Sequence, residues 1–154
     1  MIRLATIHDL EPMVKIAMPS ILEIWAHDGT PDERSAREEL FNCLMNPSME
    51  TWVVDDQSIV KGFFIMMFVP MAFLKTRLVA VEVHWTVGEP YRSEGWADQL
   101  MAKFEARSKE VGSSVMMIHD PRKDETLGRW YEMKGFSTHM RVFTKELKEE
   151  VCHP

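Results

Sequence analysis

Apolar positions change period several times along the chain. Over residues 2–6 they alternate, with Ile2 and Leu4 on one face of a short strand. From about His8 the spacing lengthens. Leu10, Met13, Val14 and Ile16 recur at helical intervals, and Pro19 predicts a kink or break. A further helical stretch carries Ile21, Leu22, Ile24 and Trp25. Asp28, Gly29, Thr30 and Pro31 end it and open the next helix. There Thr30 is the expected cap, Pro31 sits in the first turn, and Asp32 and Glu33 suit the positive helix end. That helix carries Ala36, Leu40, Leu44 and Met45, and ends near Asn46 and Pro47.

Residues 51–55 and 58–68 are rich in β-branched and aromatic side chains, and the polar turn Asp55, Asp56, Gln57 makes them a hairpin. Val69, Pro70 and Met71 are expected to interrupt the second strand. Residues 78–87 form a third long strand. A helix over 95–111 sets Leu100, Met101, Phe104 and Arg107 on its period, and Gly112 ends it. Residues 114–118 read as a buried strand, 124–134 as a helix closed by Gly135, and 136–147 as one bent strand or two. The order predicts an α/β (α+β) fold in which a late strand-helix-strand unit puts a parallel pair inside a mixed sheet. Without internal repeat or linker, residues 1–154 read as one domain.

Composition narrows the function classes. A hydrophobic content of 45% in 154 residues fills a real core. The longest apolar stretch, residues 62–74, is too short to span a bilayer, and the first residues are not a signal peptide. The expectation is a cytoplasmic protein with no membrane partner. A net charge of -6 argues against a nucleic-acid partner and leaves room for a cationic substrate. Cys43 and Cys152 lie far apart and suggest reduced thiols. His27, His119 and His139 show no metal-ligand spacing, so no metal is expected. Thirteen methionines read mostly as adaptable core filler.

The chemistry concentrates where the third long strand ends at Val87 and a helix begins near Gly95. The first N–H groups of a helix lack partners, and the helix dipole adds positive potential there. Gly95 has no side chain, so backbone can approach a phosphate. Ala97 is small, and Arg92 adds a permanent charge. Arg92-x-x-Gly95-x-Ala97 resembles the (Gln/Arg)-x-x-Gly-x-(Gly/Ala) motif of the GNAT N-acetyltransferase superfamily. The lead-in Val87-Gly88-Glu89-Pro90-Tyr91, the segment Trp130-Tyr131-Glu132-Met133-Lys134-Gly135-Phe136 and the opening Ile2-Arg3-x-Ala5-Thr6-x-x-Asp9-Leu10 are also similar to family blocks, in the family's order.

The resemblance covers nearly the whole chain. It implies a mixed sheet of about six to seven strands, splayed between two parallel strands, with about four helices and acyl-CoA in the cleft. Acetyl-CoA is then the co-substrate and a primary amine, small or on a protein, attacks the thioester directly. The implied cofactor-binding residues are Val87, Arg92, Ser93, Glu94, Gly95, Trp96, Ala97 and Asp124. A backbone N–H near Val87 stabilises the developing oxyanion, and Tyr131 protonates the departing thiolate. A phenol ordinarily ionises near pKa ~10, close to an alkyl thiol. Glu82 and His84, two apart in a strand, are expected to share its polar face with Thr86. They are the candidates for taking the amine proton, Glu82 ahead of His84. Trp25, Trp52 and Phe73, with a loop over residues 70–77, are candidates for the acceptor side, and a homodimer is left open.

Three features depart from the family pattern. Ala97 replaces the commoner Gly, Glu94 sets an acid in a loop meant for pyrophosphate, and Asp124 stands where Asn is frequent. Glu94 and Asp124, with the short chain and its many methionines, keep open a catalytically silent GNAT-like binding or structural protein, for instance of a phage particle or complex. An unrelated α/β nucleotide binder ranks last, because there is neither a Walker loop nor a GxGxxG turn.

Overall fold

The computed structural model describes residues 1–25, 31–72, 74–120 and 125–138. The chain forms two compact units, Met1–Pro121 and Arg122–Pro154.

In the first unit the elements run β1 (Ile2–Leu4), α1 (Leu10–Trp25), α2 (Glu33–Met45), β2 (Met49–Asp56), β3 (Ile59–Met71), β4 (Leu74–Val87), α3 (Trp96–Glu110) and β5 (Ser113–Met117). The five strands form one sheet in the order β1-β2-β3-β4-β5. All neighbours are antiparallel except β4 and β5, which are parallel with α3 as their crossover. This is the mixed sheet expected from the sequence. The predicted strand over residues 136–147 falls almost wholly outside the described residues.

The elements differ from expectation at identifiable points. Pro19 lies inside an unbroken α1. The cap of α2 is Asp32, whose Oδ1 accepts the Ser35 N–H at 2.9 Å, and not Thr30, which lies outside the described residues. β3 runs on through Pro70, which pairs with Leu78 at a register irregularity where the missing N–H is tolerated. The loop foreseen over residues 70–77 is therefore mostly strand. At the β2–β3 turn Gln57 and Ser58 both take positive φ, the backbone of a tight hairpin turn.

Alternation along β2 and β3 divides the core between the two faces. Val53, Phe63 and Ile65 are buried with Leu10, Met13, Val14, Ala17, Leu40 and Cys43 of α1 and α2. On the other face Phe64 meets Phe104 of α3 at 5.7 Å between ring centroids. The short β1 is pinned by charge. The Arg3 guanidinium gives both Asp9 oxygens 2.8 Å bonds and Asp55 a third, while Thr6 N–H bonds Asp9 at 2.7 Å.

Those bonds, the Arg3 ones foremost, hold the Asp9 carboxyl below its ordinary range. A depressed pKa contributes stability that is present above the unfolded value, about 3.9, and is lost as pH falls through the folded value. Asp9→Asn should cost about 2 kcal/mol at neutral pH. It should also flatten the acid side of a plot of Tm against pH. An acid limb identical to that of the wild type would assign it to other carboxylates.

The second unit is described through α4 (Glu125–Met133) and the turn that follows. Gly135 takes φ +87°, and Phe136 N–H returns to Tyr131 O at 3.1 Å, closing the helix in a left-handed cap.

Candidate active site

The site begins where β4 and β5 part. Their pairing runs from Leu78 with Ser113 to Val81 with Met117 and stops, although β4 continues to Val87. On its other edge β4 stays bonded to β3, and Gly88 N–H donates to Lys61 O at 2.9 Å. Alternation then turns the N–H and C=O of Val87 to the edge away from β3. Arg92 Nε approaches the Val87 carbonyl there at 3.5 Å. Among the described residues, β5 does not follow this edge of β4 beyond Val81.

Glu82 and His119 occupy the fork. The buried Glu82 carboxylate accepts the His119 N–H at 3.3 Å, and His119 Nδ1 lies 3.2 Å from Glu82 O and 3.4 Å from Oε2. The Glu82 hydrogen bond raises the His119 pKa against a smaller effect of burial. The link to Glu82 spans 37 residues and leaves no local signal.

Glu82 and His84 do not share a face. Ile65 pairs with His84, whereas the next residue, Met66, pairs with Glu82, so Val83 is an extra residue in β4. Cross-strand partners lie on one side of a sheet. His84 therefore shares the α1/α2 face with Ile65, and Glu82 the α3 face with Met66. Thr86, opposite Phe63, sits on the His84 side, where its hydroxyl is 3.3 Å from Ser20 Oγ of α1.

His84 stacks on Phe63 with 5.3 Å between centroids and 17° between planes. Burial lowers its pKa despite the nearby Glu82 charge, which favours the neutral imidazole, and its Nε2 is buried without a hydrogen-bond partner. His84 lines a cavity of about 250 Å³. Ile21, Trp25, Leu40, Ile65 and Val83 form the apolar wall, and Asp32 and Glu39 bring carboxylates. Cys43, also in this wall, has its thiol pushed up to about 11 by burial, so it is not a ready nucleophile. Of the aromatic candidates for an acceptor wall, Trp25 is here. Trp52 is elsewhere, under the Lys103 ammonium at 4.0 Å with its Nε1 on Glu50, and Phe73 lies outside the described residues.

Beyond Val87 the chain makes a 3₁₀ stretch, Glu89–Glu94, before Gly95 and α3. The helix starts at Trp96, one residue later than the sequence suggests. Gly95 precedes it as a cap with φ +76°. A Cβ built on Gly95 would meet nothing within 4 Å, and no side chain caps this end of α3. The turn therefore faces open space, with the Trp96 and Ala97 N–H groups at the positive end of a 15-residue helix. These features fit a pyrophosphate: close backbone approach, helix-end donors and the Arg92 guanidinium within the 3₁₀ stretch. Glu94 does not oppose it freely, since its carboxylate is held by Lys61 Nζ at 2.7 Å and Trp96 Nε1 at 2.8 Å.

The remaining predicted residues lie in the second unit. Tyr131 is half-buried on α4, 5.3 Å from the Trp130 ring and 5.9 Å edge-on to Phe136. Asp124 lies outside the described residues. Among the described residues no group of three or more His, Cys, Asp or Glu side chains is arranged to hold a metal, and no helix is long and apolar enough to cross a membrane.

The chain superposes on solved acetyltransferase structures. A ribosomal-protein-alanine N-acetyltransferase from Brucella melitensis biovar Abortus 2308 matches with a TM-score of 0.73 at 18% identity, covering 96% of this chain and 99% of that one. AAC(6')-Iy, in complex with the bisubstrate analogue CoA-S-monomethyl-acetylneamine, matches with a TM-score of 0.73 at 17% identity, covering 96% and 97%. The fold is that of these acetyltransferase structures. A transcriptional regulator from Bacillus halodurans C-125 shares it with a TM-score of 0.80 at 20% identity, covering 96% and 99%. No protein-family model matches the chain, and no curated protein matches it in sequence. The likeness is one of fold, and activity has to be argued from the site.

Proposed function

We propose that the protein is an N-acetyltransferase that passes an acetyl group from acetyl-CoA directly to a primary amine. The observation that carries this reading is the parting of β4 from β5 beyond Val81, from which β4 runs on to the open Gly95 turn at the start of α3. Acetyl-CoA, when bound, supplies an acetyl thioester for the amine to attack. The Trp96 and Ala97 N–H groups, with Arg92, hold its pyrophosphate. The outward N–H of Val87 hydrogen-bonds the thioester oxygen as negative charge grows on it. Tyr131 gives a proton to the departing sulfur.

The amine enters the cavity beside His84. Its walls suit an amine with an apolar body, and Asp32 and Glu39 favour the cationic form on entry. The geometry favours His84 over Glu82 as proton acceptor. His84 lines the cavity and its buried Nε2 has no hydrogen-bond partner, whereas Glu82 points to the other face and braces the fork through His119. As the N–C bond forms, the nitrogen becomes acidic enough for imidazole to take its proton.

A titration with acetyl-CoA, followed by transfer to a panel of arylalkyl and polar amines, tests the reading. The turnover should rise with pH through the depressed His84 pKa, because only neutral imidazole accepts a proton. That limb should lie below the ordinary histidine value of about 6.5. His84→Gln should remove the limb and lower turnover by about 10²-fold or more. Glu82→Gln, which keeps an oxygen for the His119 N–H, should retain the limb. If the limb survived in His84→Gln and vanished in Glu82→Gln, the base would be Glu82. Absence of transfer to every amine, despite acetyl-CoA binding, would favour a silent binding protein.

A further inference from the structure

We infer that Lys61 is a positioning residue for the cofactor turn. It holds the Glu94 carboxylate away from the phosphate-binding N–H groups and cancels its charge, which makes an acid tolerable beside Gly95. The inference rests on the reading that this turn binds the pyrophosphate of acetyl-CoA.

Glu94 immediately precedes Gly95, so an unrestrained carboxylate there would compete with a phosphate for the first-turn donors of α3. The structure gives it other partners. Lys61 reaches across from β3, with Nζ 2.7 Å from Glu94 Oε2 and 2.8 Å from Asp56 Oδ2. Trp96, the first residue of α3, donates its indole N–H to the same Glu94 oxygen at 2.8 Å. Lys61 also lies 5.0 Å from the centre of the Tyr91 ring and 5.7 Å from that of Trp96. An ammonium over two ring faces gains electrostatic attraction and is fixed in place. Its side chain is only 13% exposed, unusual for a lysine beside a turn.

Backbone geometry ties the same residue to the strand end. Lys61 O accepts the Gly88 N–H at 2.9 Å, and Gly62, the next residue, approaches so closely that a Cβ there would come within 2.9 Å of Thr86 O. One residue therefore fixes the end of β4 through its carbonyl and the far side of the turn through its ammonium. Asp56 and Glu94 raise the Lys61 pKa through their hydrogen bonds, and Lys61 in turn lowers that of Glu94.

The test compares wild type, Lys61→Met and Lys61→Met/Glu94→Gln by calorimetric titration with acetyl-CoA at low and moderate salt. Lys61→Met keeps the stem that packs on the rings and removes only the charge. It should weaken acetyl-CoA binding by about tenfold or more, the scale of one charge-assisted hydrogen bond. The defect should shrink as salt screens the freed carboxylate. The double variant should recover most of the affinity, because an amide in place of Glu94 no longer repels phosphate. Recovery is the readout that a purely structural role would not produce. A double variant as weak as Lys61→Met, with a defect indifferent to salt, would overturn the inference and make Lys61 a packing residue. So would a Lys61→Met variant that binds like wild type. Wild type that fails to bind acetyl-CoA at millimolar concentration would instead overturn the underlying reading of the turn.

Discussion

Gly95→Asp should abolish acetyl-CoA binding in a protein that still folds. The position has φ +76°, a backbone region in which aspartate is among the better tolerated residues. The stability cost should therefore be about 1 kcal/mol, and a new Cβ would meet nothing within 4 Å. What the substitution adds is bulk and negative charge at the mouth of α3, in front of the N–H groups proposed to hold the pyrophosphate. The aspartate can cap those groups itself, taking the donors as well as repelling the ligand. Wild type should show a Tm that climbs with acetyl-CoA concentration, as for any ligand that binds only the folded state. The variant should show a flat line. Gly95→Ala separates the two effects: it carries the backbone penalty without the charge, and should keep weakened binding. If Gly95→Asp bound acetyl-CoA with wild-type affinity, the cofactor site would lie away from this turn.

The parts of the site that were legible from residue spacing are those with a local cause. A strand rich in β-branched residues ends at Val87, a glycine follows at the start of a helical period, and both appear in the structure within a residue of expectation. The fork between β4 and β5 follows from a strand-helix-strand unit with a parallel pair. What spacing missed has non-local causes. Counting by two put Glu82 and His84 on one face, but the extra residue Val83 in β4 separates them, and that bulge exists only in register with β3. The acid at Glu94 looked hostile to phosphate because Lys61, which holds it, lies 33 residues away. Residue spacing puts the cap of α2 at Thr30. Asp32 caps α2 because its position lets the carboxylate reach Ser35 N–H. Pro70 looked like a strand breaker, yet sits where pairing with β4 is already irregular. The cavity beside His84 had no motif at all. It assembles from single residues on α1, α2, β3 and β4, of which only Trp25 and His84 stood out as candidates.

Tyr131→Phe should lower turnover by about 10²–10⁴-fold, the usual worth of a general acid, with little change in acetyl-CoA affinity. The substitution keeps the ring, and with it the contacts to Trp130 on one side and Phe136 edge-on at the other. The helix cap that fixes its place uses backbone only, through Phe136 N–H and Tyr131 O, so it survives the change. Only the hydroxyl is lost. A leaving thiolate deprived of its proton donor raises the barrier without altering the ground state, so kcat and kcat/KM should fall together. The outcome also discriminates by leaving group. A thiol of lower pKa needs protonation less, so replacing the CoA thioester with an activated aryl thioester should recover much of the rate in the variant and gain less in wild type. Thermal melting supplies the opposing pattern. A hydroxyl serving the fold through a buried hydrogen bond would cost about 1 kcal/mol on removal, lowering Tm while leaving turnover per folded molecule intact. That combination would make Tyr131 structural, remove the acid from the proposed mechanism and shift weight to the silent binding protein. Normal stability with turnover down by two orders of magnitude, rescued by the better leaving group, is the pattern expected of the enzyme.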